Sequence, residues 1–308
     1  MIHVDGLVKT YGRFRALDGL SFDVAEGEIF GFVGPNGAGK TTSMRILAAL
    51  MRPTSGAAVV DGVDVVNHPA RVRMRIGYMP DFFGVYDQLT TGEYLAFYAS
   101  CYRVPRSRID RTVGDLLELI GLPEKRHVAV DSLSRGMKQR LCLARALVHD
   151  PAVLLLDEPA SGLDPRARVE MRELLRELQA MGKTIVVSSH ILPELAEMCT
   201  RFGIIDGGRM VTTGPIDRLL AAQGTRRVRV SVADDLNEAA ARARALPGVR
   251  DARVDGQFLE LEHEGGEAES SALLTELVRA GITVRSFVPV QADLEQIFLE
   301  TTRGEATA

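Results

Sequence analysis

Short runs of mostly apolar residues alternate with longer amphipathic segments along the first two thirds of the chain. Strands that are covered on both faces carry apolar side chains at consecutive positions. The runs therefore predict strands at 29–33, 57–60, 63–66, 75–79, 153–156 and 184–187. Apolar residues one helical turn apart predict helices at 43–51, 90–122, 135–149, 167–181 and 192–199. Such alternation predicts an α/β fold with a mostly parallel sheet between helical layers.

A helical insertion is predicted at about 82–133, between two of the predicted strands. Tyr94, Phe97 and Tyr98 recur at one-turn spacing in this segment. Aromatic residues at that spacing line one face of a helix, so we expect these three to pack inside the insertion.

After residue 224 the pattern starts again with Val228, Val230 and Val232, which alternate with polar residues. The predicted order is a strand at 228–232, a helix at 236–246, strands at 249–254 and 257–263, a helix at 269–280 and a strand at 282–290. This β-α-β-β-α-β order is that of a ferredoxin-like unit, and an amphipathic helix follows at 293–302. We expect a large domain at 1–222 and a small accessory α+β domain at 223–308, which we interpret as a regulatory or dimerising module.

Composition excludes several classes of protein. Of the 308 residues, 46% are hydrophobic and 25% are charged, which is typical of a folded globular chain. The net charge of −4 argues against a nucleic-acid partner. Three widely spaced cysteines predict neither a disulfide framework nor a zinc site, and they suit a reducing cytosol. Without a basic leader or eighteen consecutive apolar residues, we expect that the chain does not cross a membrane by itself.

The candidate chemistry begins directly after the predicted strand at 29–33, where the sequence reads GPNGAGKTT. Its glycines let successive N–H groups point at phosphates, and the following helix adds its positive N-terminal end. A lysine here reaches the β and γ phosphates, and the next hydroxyl binds Mg²⁺. A glycine-rich turn with an incidental lysine is the alternative. The residues assigned to triphosphate binding are Gly34, Pro35, Asn36, Gly37, Ala38, Gly39, Lys40, Thr41 and Thr42.

Two carboxylates, Asp157 and Glu158, follow the apolar strand at 153–156. The carboxyl end of a parallel strand is where α/β proteins bind ligands. We expect Asp157 to hold Mg²⁺, directly or through water, and Glu158 to polarise the water that attacks the γ phosphorus. Taken alone, an acidic pair after a strand is equally typical of a solvated surface.

The sequence LSRGM at 133–137 opens a predicted helix about one hundred residues after the glycine-rich loop. At this point the chain resembles the nucleotide-binding subunits of ATP-binding cassette (ABC) transporters, whose signature is usually LSGGQ. Ser134 and Gly136 match that signature, whereas Arg135 and Met137 replace its first Gly and its Gln. A serine hydroxyl and N–H groups at a helix start suit a γ phosphate. Alone, the segment is more typical of an ordinary helix cap, and its position between the glycine-rich loop and the acidic strand is what favours the signature.

Further marks of the family occur in the family's order. Tyr11 resembles the aromatic residue that stacks on adenine, and His190 resembles the switch histidine that contacts the γ phosphate. Asp164, in Ser-Gly-Leu-Asp, resembles the loop that lies between monomers. The resemblance implies ATP and Mg²⁺ as cofactors, with catalysis by Lys40, Glu158 and His190. It also implies that Ser134, Arg135, Gly136, Met137 and Asp164 act on the nucleotide of a second copy.

The family's usual Gln after the strand at 75–79 is Asp81 here. Aspartate offers oxygens only and lacks the N–H₂ donor of glutamine. We expect Asp81 to remain a metal ligand, with Thr41 and Asp157, although it could instead point away. The apolar residues Phe82, Phe83, Val85 and Tyr86 predict a groove for a membrane subunit, because this region of the family meets a short helix of that subunit.

The resemblance implies an ATPase that dimerises head to tail around two nucleotides. It implies that the dimer drives export through a separate integral membrane permease at the cytoplasmic face of the membrane. The tail at 293–299 is similar to the extension of cassettes in that exporter branch. The alternatives are a soluble cassette ATPase acting in translation or DNA maintenance, a P-loop kinase or GTPase, and a resistance factor without transport. The cargo cannot be predicted.

Overall fold

The computed structural model describes residues 1–81, 88–190, 195–216, 225–265 and 267–290. The chain divides into two compact units, Met1–Ile216 and Asp217–Ala308. The predicted boundary at 222/223 falls among residues outside the described ranges and stays a prediction. Within the described ranges, no helix is both long enough and apolar enough to span a lipid bilayer.

The first unit contains ten strands and six α-helices among its described residues. The strands are β1 (Ile2–Tyr11), β2 (Phe14–Val24), β3 (Ile29–Val33), β4 (Ser55–Val60), β5 (Val63–Asp64), β6 (Ile76–Met79), β7 (Val153–Asp157), β8 (Thr184–Ser189), β9 (Arg201–Asp206) and β10 (Arg209–Pro215). The helices are α1 (Lys40–Leu47), α2 (Pro69–Arg73), α3 (Thr91–Cys101), α4 (Arg106–Leu119), α5 (Arg135–Leu147) and α6 (Pro165–Ala180).

The central sheet has the strand order β10-β9-β3-β8-β7-β6. Its strands are parallel except for β10, which forms an antiparallel pair with β9. Every residue of β3, β7 and β8 is buried, as the apolar runs predict for strands covered on both faces. The predicted α/β fold with a mostly parallel sheet is confirmed, and it brings the ends of β3, β7 and β8 to one edge.

An antiparallel sheet at the N-terminus has no counterpart among the predicted elements except for its two short strands, β4 and β5. Its order is β2-β1-β4-β5. Phe22 of this sheet stacks on Phe30 of the central sheet, with ring centroids 5.5 Å apart, and contacts Phe32 at 5.4 Å. Because aromatic pairs add stability beyond the area they bury, these contacts join the two sheets into one core.

The helix behind the glycine-rich loop begins and ends earlier than its predicted range of 43–51. It begins at Lys40, where the loop ends, and stops at Leu47. Ala49 has a φ of 52°, a left-handed conformation that an α-helix cannot contain. The predicted end of this helix is therefore wrong by about one turn.

The helical insertion consists of two helices rather than one continuous segment. In α3, Thr90 and Glu93 form a capping box, in which each side chain accepts a hydrogen bond from the backbone N–H of the other. A break at Tyr102–Pro105 precedes α4, because proline favours a helix start over a helix interior. Tyr94 is fully buried as predicted, whereas the prediction for Phe97 is wrong, since Phe97 is 45% exposed.

The second unit has the predicted β-α-β-β-α-β order. Its elements are β11 (Thr225–Val232), α7 (Leu236–Arg244), β12 (Val249–Asp255), β13 (Phe258–Glu264), α8 (Glu267–Arg279) and β14 (Val284–Val290). The sheet is antiparallel with the order β12-β13-β11-β14, which is the ferredoxin-like arrangement. Val228 and Val230 lie at the centre of its own apolar core. The predicted helix at 293–302 lies outside the described residues.

Candidate functional site

The glycine-rich loop crosses from the end of β3 to the start of α1, and two of its positions have no room for a side chain. Gly39 has a φ of 110°, and a Cβ atom there would lie 2.7 Å from the carbonyl oxygen of Ala16. A Cβ atom on Gly34 would lie 2.4 Å from the carbonyl oxygen of Ile205. Both positions therefore require glycine. The loop leads directly into the N-terminal end of α1, where N–H groups without helical partners attract anions.

The loop borders a cavity of about 450 Å³ that collects most of the predicted site residues. The loop shares this cavity with Tyr11, Asp81, Glu158 and His190. The loop residues that line it are Pro35, Asn36, Gly37, Gly39, Lys40, Thr41 and Thr42. Gly34 and Ala38 are buried in the loop itself.

Lys40 is the cation of this cavity, and it is only 6% exposed. Its ammonium donates hydrogen bonds to the carbonyl oxygens of Gly34 at 2.5 Å and of Pro35 at 3.2 Å. Burial lowers the pKa of this ammonium. Three nearby carboxylates oppose that lowering of the pKa, namely those of Glu158, Asp157 and Asp81. The two hydrogen bonds of Lys40 go to neutral carbonyl oxygens and the ion-pair partner Glu158 is 3.8 Å away, so this buried cation favours an incoming anion such as a phosphate.

Asp157 and Glu158 occupy different environments although they are adjacent. Asp157 ends β7 and is 1% exposed, and its Oδ1 accepts a hydrogen bond of 2.6 Å from the hydroxyl of Ser188. Its Oδ2 is buried without a hydrogen-bond partner among the described residues. A carboxylate oxygen that lacks a partner at the base of a phosphate-binding loop fits a hard cation such as Mg²⁺.

Glu158 faces the cavity between two basic side chains. Its Oε1 lies 3.8 Å from Nζ of Lys40, and its Oε2 lies 2.9 Å from Nδ1 of His190. The backbone of Glu158 has a φ of 50°, a strained value for a residue with a side chain. Such strain persists where surrounding contacts fix the backbone, and it is common at functional sites.

Ser188, which the predicted site residues omit, connects this pair. Its hydroxyl donates to Asp157 and accepts a hydrogen bond of 3.0 Å from the backbone N–H of Glu158. The signal was present in the sequence, because Ser188 directly follows an apolar strand predicted to lie in the same parallel sheet as Asp157. Carboxyl ends of parallel strands meet at one edge.

The aromatic wall of the cavity comes from the β1–β2 hairpin. Tyr11 is 44% exposed, and its hydroxyl contacts the sulfur of Met51 at 2.8 Å. Phe14, also omitted from the predicted residues, borders the same cavity and is 61% exposed. Exposed aromatic rings beside a phosphate-binding loop offer flat faces for a purine base. The groove predicted from residues 82–86 lies outside the described residues.

The second group of predicted residues lies at a separate cavity of about 190 Å³. Ser134 caps α5, and its hydroxyl accepts a hydrogen bond of 3.3 Å from the N–H of Met137. Asp164 caps α6 by accepting a hydrogen bond of 2.9 Å from the N–H of Ala167. Arg135, Gly136 and Met137 border this cavity as well. Within one chain, these residues and Lys40 therefore line different cavities.

The fold and the first cavity define a P-loop nucleotide-binding protein of the α/β class. Residues 17–161 match the family model for the ABC transporter, and residues 214–302 match that for the C-terminal domain of DrrA1-3-like ATP-binding proteins. The chain belongs to the ATP-binding subunits of ABC transporters. The predicted family is thus confirmed, and membership in a family of ATPases sets aside the kinase and GTPase alternatives.

Individual relatives match nearly the whole chain. Nod factor export ATP-binding protein I of Ralstonia nicotianae is 34% identical over 99% of this chain and 94% of its own length. Daunorubicin/doxorubicin resistance ATP-binding protein DrrA of Streptomyces peucetius is 34% identical over 98% and 92%. A dimeric ATP-binding cassette, solved in a post-hydrolysis state with ADP and Pi, has a TM-score of 0.64 at 25% identity, covering 70% of this chain and 99% of that chain.

Proposed function

We propose that two copies of this chain enclose two ATP molecules head to tail and thereby drive export through a separate membrane permease. The observation that carries this proposal is the separation of the two groups of site residues. The described lining of the Lys40 cavity does not include Ser134 or the other residues at the start of α5, which line a second cavity of the same chain. A similar cassette is dimeric when bound to ADP and Pi, which supports the assembly of two copies around nucleotide.

Within one chain, the loop residues 34–42 would bind the triphosphate, and Tyr11 would pack against the base. Lys40 would leave the carbonyl oxygens of Gly34 and Pro35 and move to the β and γ phosphates. Thr41, Asp81 and Asp157 would hold Mg²⁺, whose charge, when bound, offsets that of the phosphates. The partner copy would close the site with a second set, Ser134, Arg135, Gly136, Met137 and Asp164.

Glu158 would act as the general base for the attacking water. Its carboxylate is aimed into the cavity by its strained backbone and by the hydrogen bond of its N–H to Ser188. His190 holds Oε2, and a shift of Lys40 onto phosphate would leave Oε1 open to accept a proton from water. His190 would then be near enough to the γ phosphate to report whether it is present.

The decisive variant is Glu158→Gln, which keeps the shape of the side chain and removes the base. We expect ATP hydrolysis to fall at least about a hundredfold, because positioned bases contribute about 10²–10⁴. ATP should convert this variant to a stable dimer, measured by size-exclusion chromatography with light scattering. Glu177→Gln, the same change at an exposed position of α6, should leave hydrolysis and dimerisation unchanged. Rapid hydrolysis by Glu158→Gln, or a lasting monomer, would contradict the proposal.

We further propose that a short helix of the permease docks in a groove of about 630 Å³ beside the insertion. Leu50 and Met74 line it and are 58% and 48% exposed. The groove also contains Arg73, Arg103 and Arg145, and its described lining includes no carboxylate. Exposed apolar groups beside three cations suit an apolar helix that carries an acidic residue.

Met74→Asp tests this docking in the complete chain. We expect the variant to bind ATP normally and to lose co-purification with the permease, since the new carboxylate faces an apolar helix. Met181→Asp alters a still more exposed methionine outside the groove and should co-purify as the unchanged protein does. Equal recovery of the permease with both variants would rule out this groove. Co-purification itself would show that the protein binds a membrane subunit, and we propose that it does so at the cytoplasmic face of the membrane.

A further inference from the structure

Arg135 makes a contact that the glycine usual at this signature position could not make. Its guanidinium donates a hydrogen bond of 3.0 Å to the carbonyl oxygen of Ser161. It also lies flat against Gly162, where a Cβ atom would be 2.3 Å from Cζ of Arg135. Gly162 has a φ of 66°, so both the backbone conformation and the available space favour glycine there. The start of α5, which carries the signature residues, thus packs against the turn after β7.

That turn includes the backbone of Glu158. The N–H of Ser161 donates a hydrogen bond of 3.1 Å to the carbonyl oxygen of Glu158. Ser161 also lines the cavity of Lys40. Two hydrogen bonds in series therefore connect Arg135, at the signature, to Glu158, whose strained backbone fixes the direction of its carboxylate. Because hydrogen-bonded neighbours share changes in position, a shift of one end can alter the other.

The charge of Arg135 does not stabilise its own helix. A cation in the first turn of a helix is opposed by the positive end of the helix dipole. Among the described residues, no carboxylate forms an ion pair with this guanidinium. The planar guanidinium does match the flat surface formed by Gly162 and the Ser161 carbonyl group. The contact with the turn is therefore the interaction that accounts for arginine at this position.

We propose that Arg135 is a positioning residue that couples the two nucleotide sites of the dimer. Closure of the signature over the nucleotide of the partner copy would be transmitted through Arg135 and Ser161 to Glu158, which serves the nucleotide of its own chain. The inference rests on the proposed dimer. It assigns to Arg135 a role through the backbone of its own chain, in place of direct contact with ATP.

The first test compares Arg135→Ala and Arg135→Lys in the full-length protein. For Arg135→Ala we expect kcat to fall about fivefold to tenfold, as for the loss of one charge-assisted hydrogen bond. The Hill coefficient for ATP should fall towards 1, while the affinity for ATP without hydrolysis stays unchanged. Arg135→Lys should recover part of kcat, because lysine can still donate to the Ser161 carbonyl oxygen. Arg166→Ala removes a second arginine of the same cavity, one paired with Glu170, and should change none of these values.

The second test separates positioning from direct nucleotide binding. In a Glu158→Gln background, the ATP concentration that half-saturates dimerisation should be the same with Arg135 or Ala at position 135. A shift of more than about threefold would show that Arg135 binds nucleotide directly, and it would overturn the inference, since even one such bond changes affinity by more than that. Such a shift would leave the proposed dimer intact.

Gly162→Ala provides a matched change at the other side of the contact. A methyl group there displaces the guanidinium, so kcat should fall as in Arg135→Ala. The double variant should be no slower than the slower single variant, because both remove the same contact. Independent, multiplying losses would overturn the inference. If the unchanged protein neither binds ATP nor dimerises, the proposed function fails instead, and that result is distinguishable because it needs no variant.

Discussion

At the scale of single residues, one buried hydroxyl holds the acidic pair in place. Ser188 donates to Asp157 at 2.6 Å and accepts from the N–H of Glu158 at 3.0 Å. The hydrogen bond to Asp157 is costly to lose, because Asp157 is almost fully buried. This hydroxyl thus fixes the direction of the Asp157 carboxylate and the backbone from which the Glu158 side chain projects.

Ser188→Ala should therefore impair both stability and turnover. Removal of the hydroxyl leaves Asp157 and the N–H of Glu158 unpaired, which costs about 1–3 kcal/mol of unfolding free energy. We expect kcat to fall about tenfold, as each 1.4 kcal/mol of lost positioning does. Urea unfolding and steady-state hydrolysis measure the two effects. Ser188→Thr keeps the hydroxyl and should retain most activity; equal loss in both variants would point to packing instead.

Substitution of Asp81 tests whether aspartate serves as a metal ligand where the family usually has glutamine. It borders the cavity, and its carboxylate opposes the lowering of the pKa of Lys40. If Asp81 holds Mg²⁺ directly or through water, Asp81→Ala should raise the Mg²⁺ concentration for half-maximal hydrolysis by about 10–100-fold. Asp115→Ala, an exposed change on α4, is the control. An unchanged Mg²⁺ requirement would mean that Asp81 is not a ligand.

At the scale of elements, the end of α5 connects the insertion to the central sheet. His149 follows α5, and its Nε2–H donates a hydrogen bond of 2.9 Å to the carbonyl oxygen of Ile76 in β6. Its ring stacks on Tyr102, just after α3, with the centroids 3.7 Å apart. One imidazole ring therefore contacts both the helical insertion and the central sheet. Its neutral form suits this half-buried position.

The pKa of His149 predicts an acid-sensitive contact. Burial lowers this pKa below its ordinary value of 6.5, the bond to Ile76 and Asp150 oppose the shift, and Lys183 adds to it. The unfolded state therefore binds more protons below about pH 6.5, so stability is complete above that pH and falls as the pH drops towards the folded-state pKa.

His149→Gln keeps a donor for the Ile76 carbonyl oxygen and removes the titration. We expect its urea midpoint to fall less between pH 7.5 and pH 5.5 than that of the unchanged protein, because the difference between the two proteins isolates His149. Circular dichroism is the suitable probe, because the chain contains no tryptophan. If the urea midpoints of the two proteins fell in parallel with pH, the His149 contact would not be the cause of the loss of stability in acid.

The elements also explain which parts of the structure were predictable. Strands β3, β7 and β8 have no exposed position, so their apolar runs predict them well. The strands β1 and β2 escape prediction because β1 contains a left-handed Gly6, and several shifts interrupt its register with β2. The loop residues follow from a local motif. Ser188 follows only from the expectation that parallel strands end at one edge, and Phe14 joins the site through a hairpin that no apolar run predicts.

At the scale of the whole molecule, each unit contains a core of its own. The first unit buries the aromatic cluster around Phe22 and Phe30, and the second buries valines and leucines of its antiparallel sheet. Every residue assigned to nucleotide binding, from Tyr11 to His190, belongs to the first unit. A relative matches across both units. We predict that the second unit modifies an activity that the first can perform.

A fragment of residues 1–222 tests that division directly. We expect it to fold, and to bind ATP with Mg²⁺ within about threefold of the full chain, because each domain-sized core can stabilise itself. Isothermal titration calorimetry measures the affinity, and the same fragment with Lys40→Ala should lose most of it, because the cation for the phosphates is gone. If the fragment folds by circular dichroism but does not bind ATP, the second unit must take part in the nucleotide site. If it binds ATP normally but no longer dimerises, the C-terminal unit supplies the contacts that hold the two copies together, as a dimerising module would.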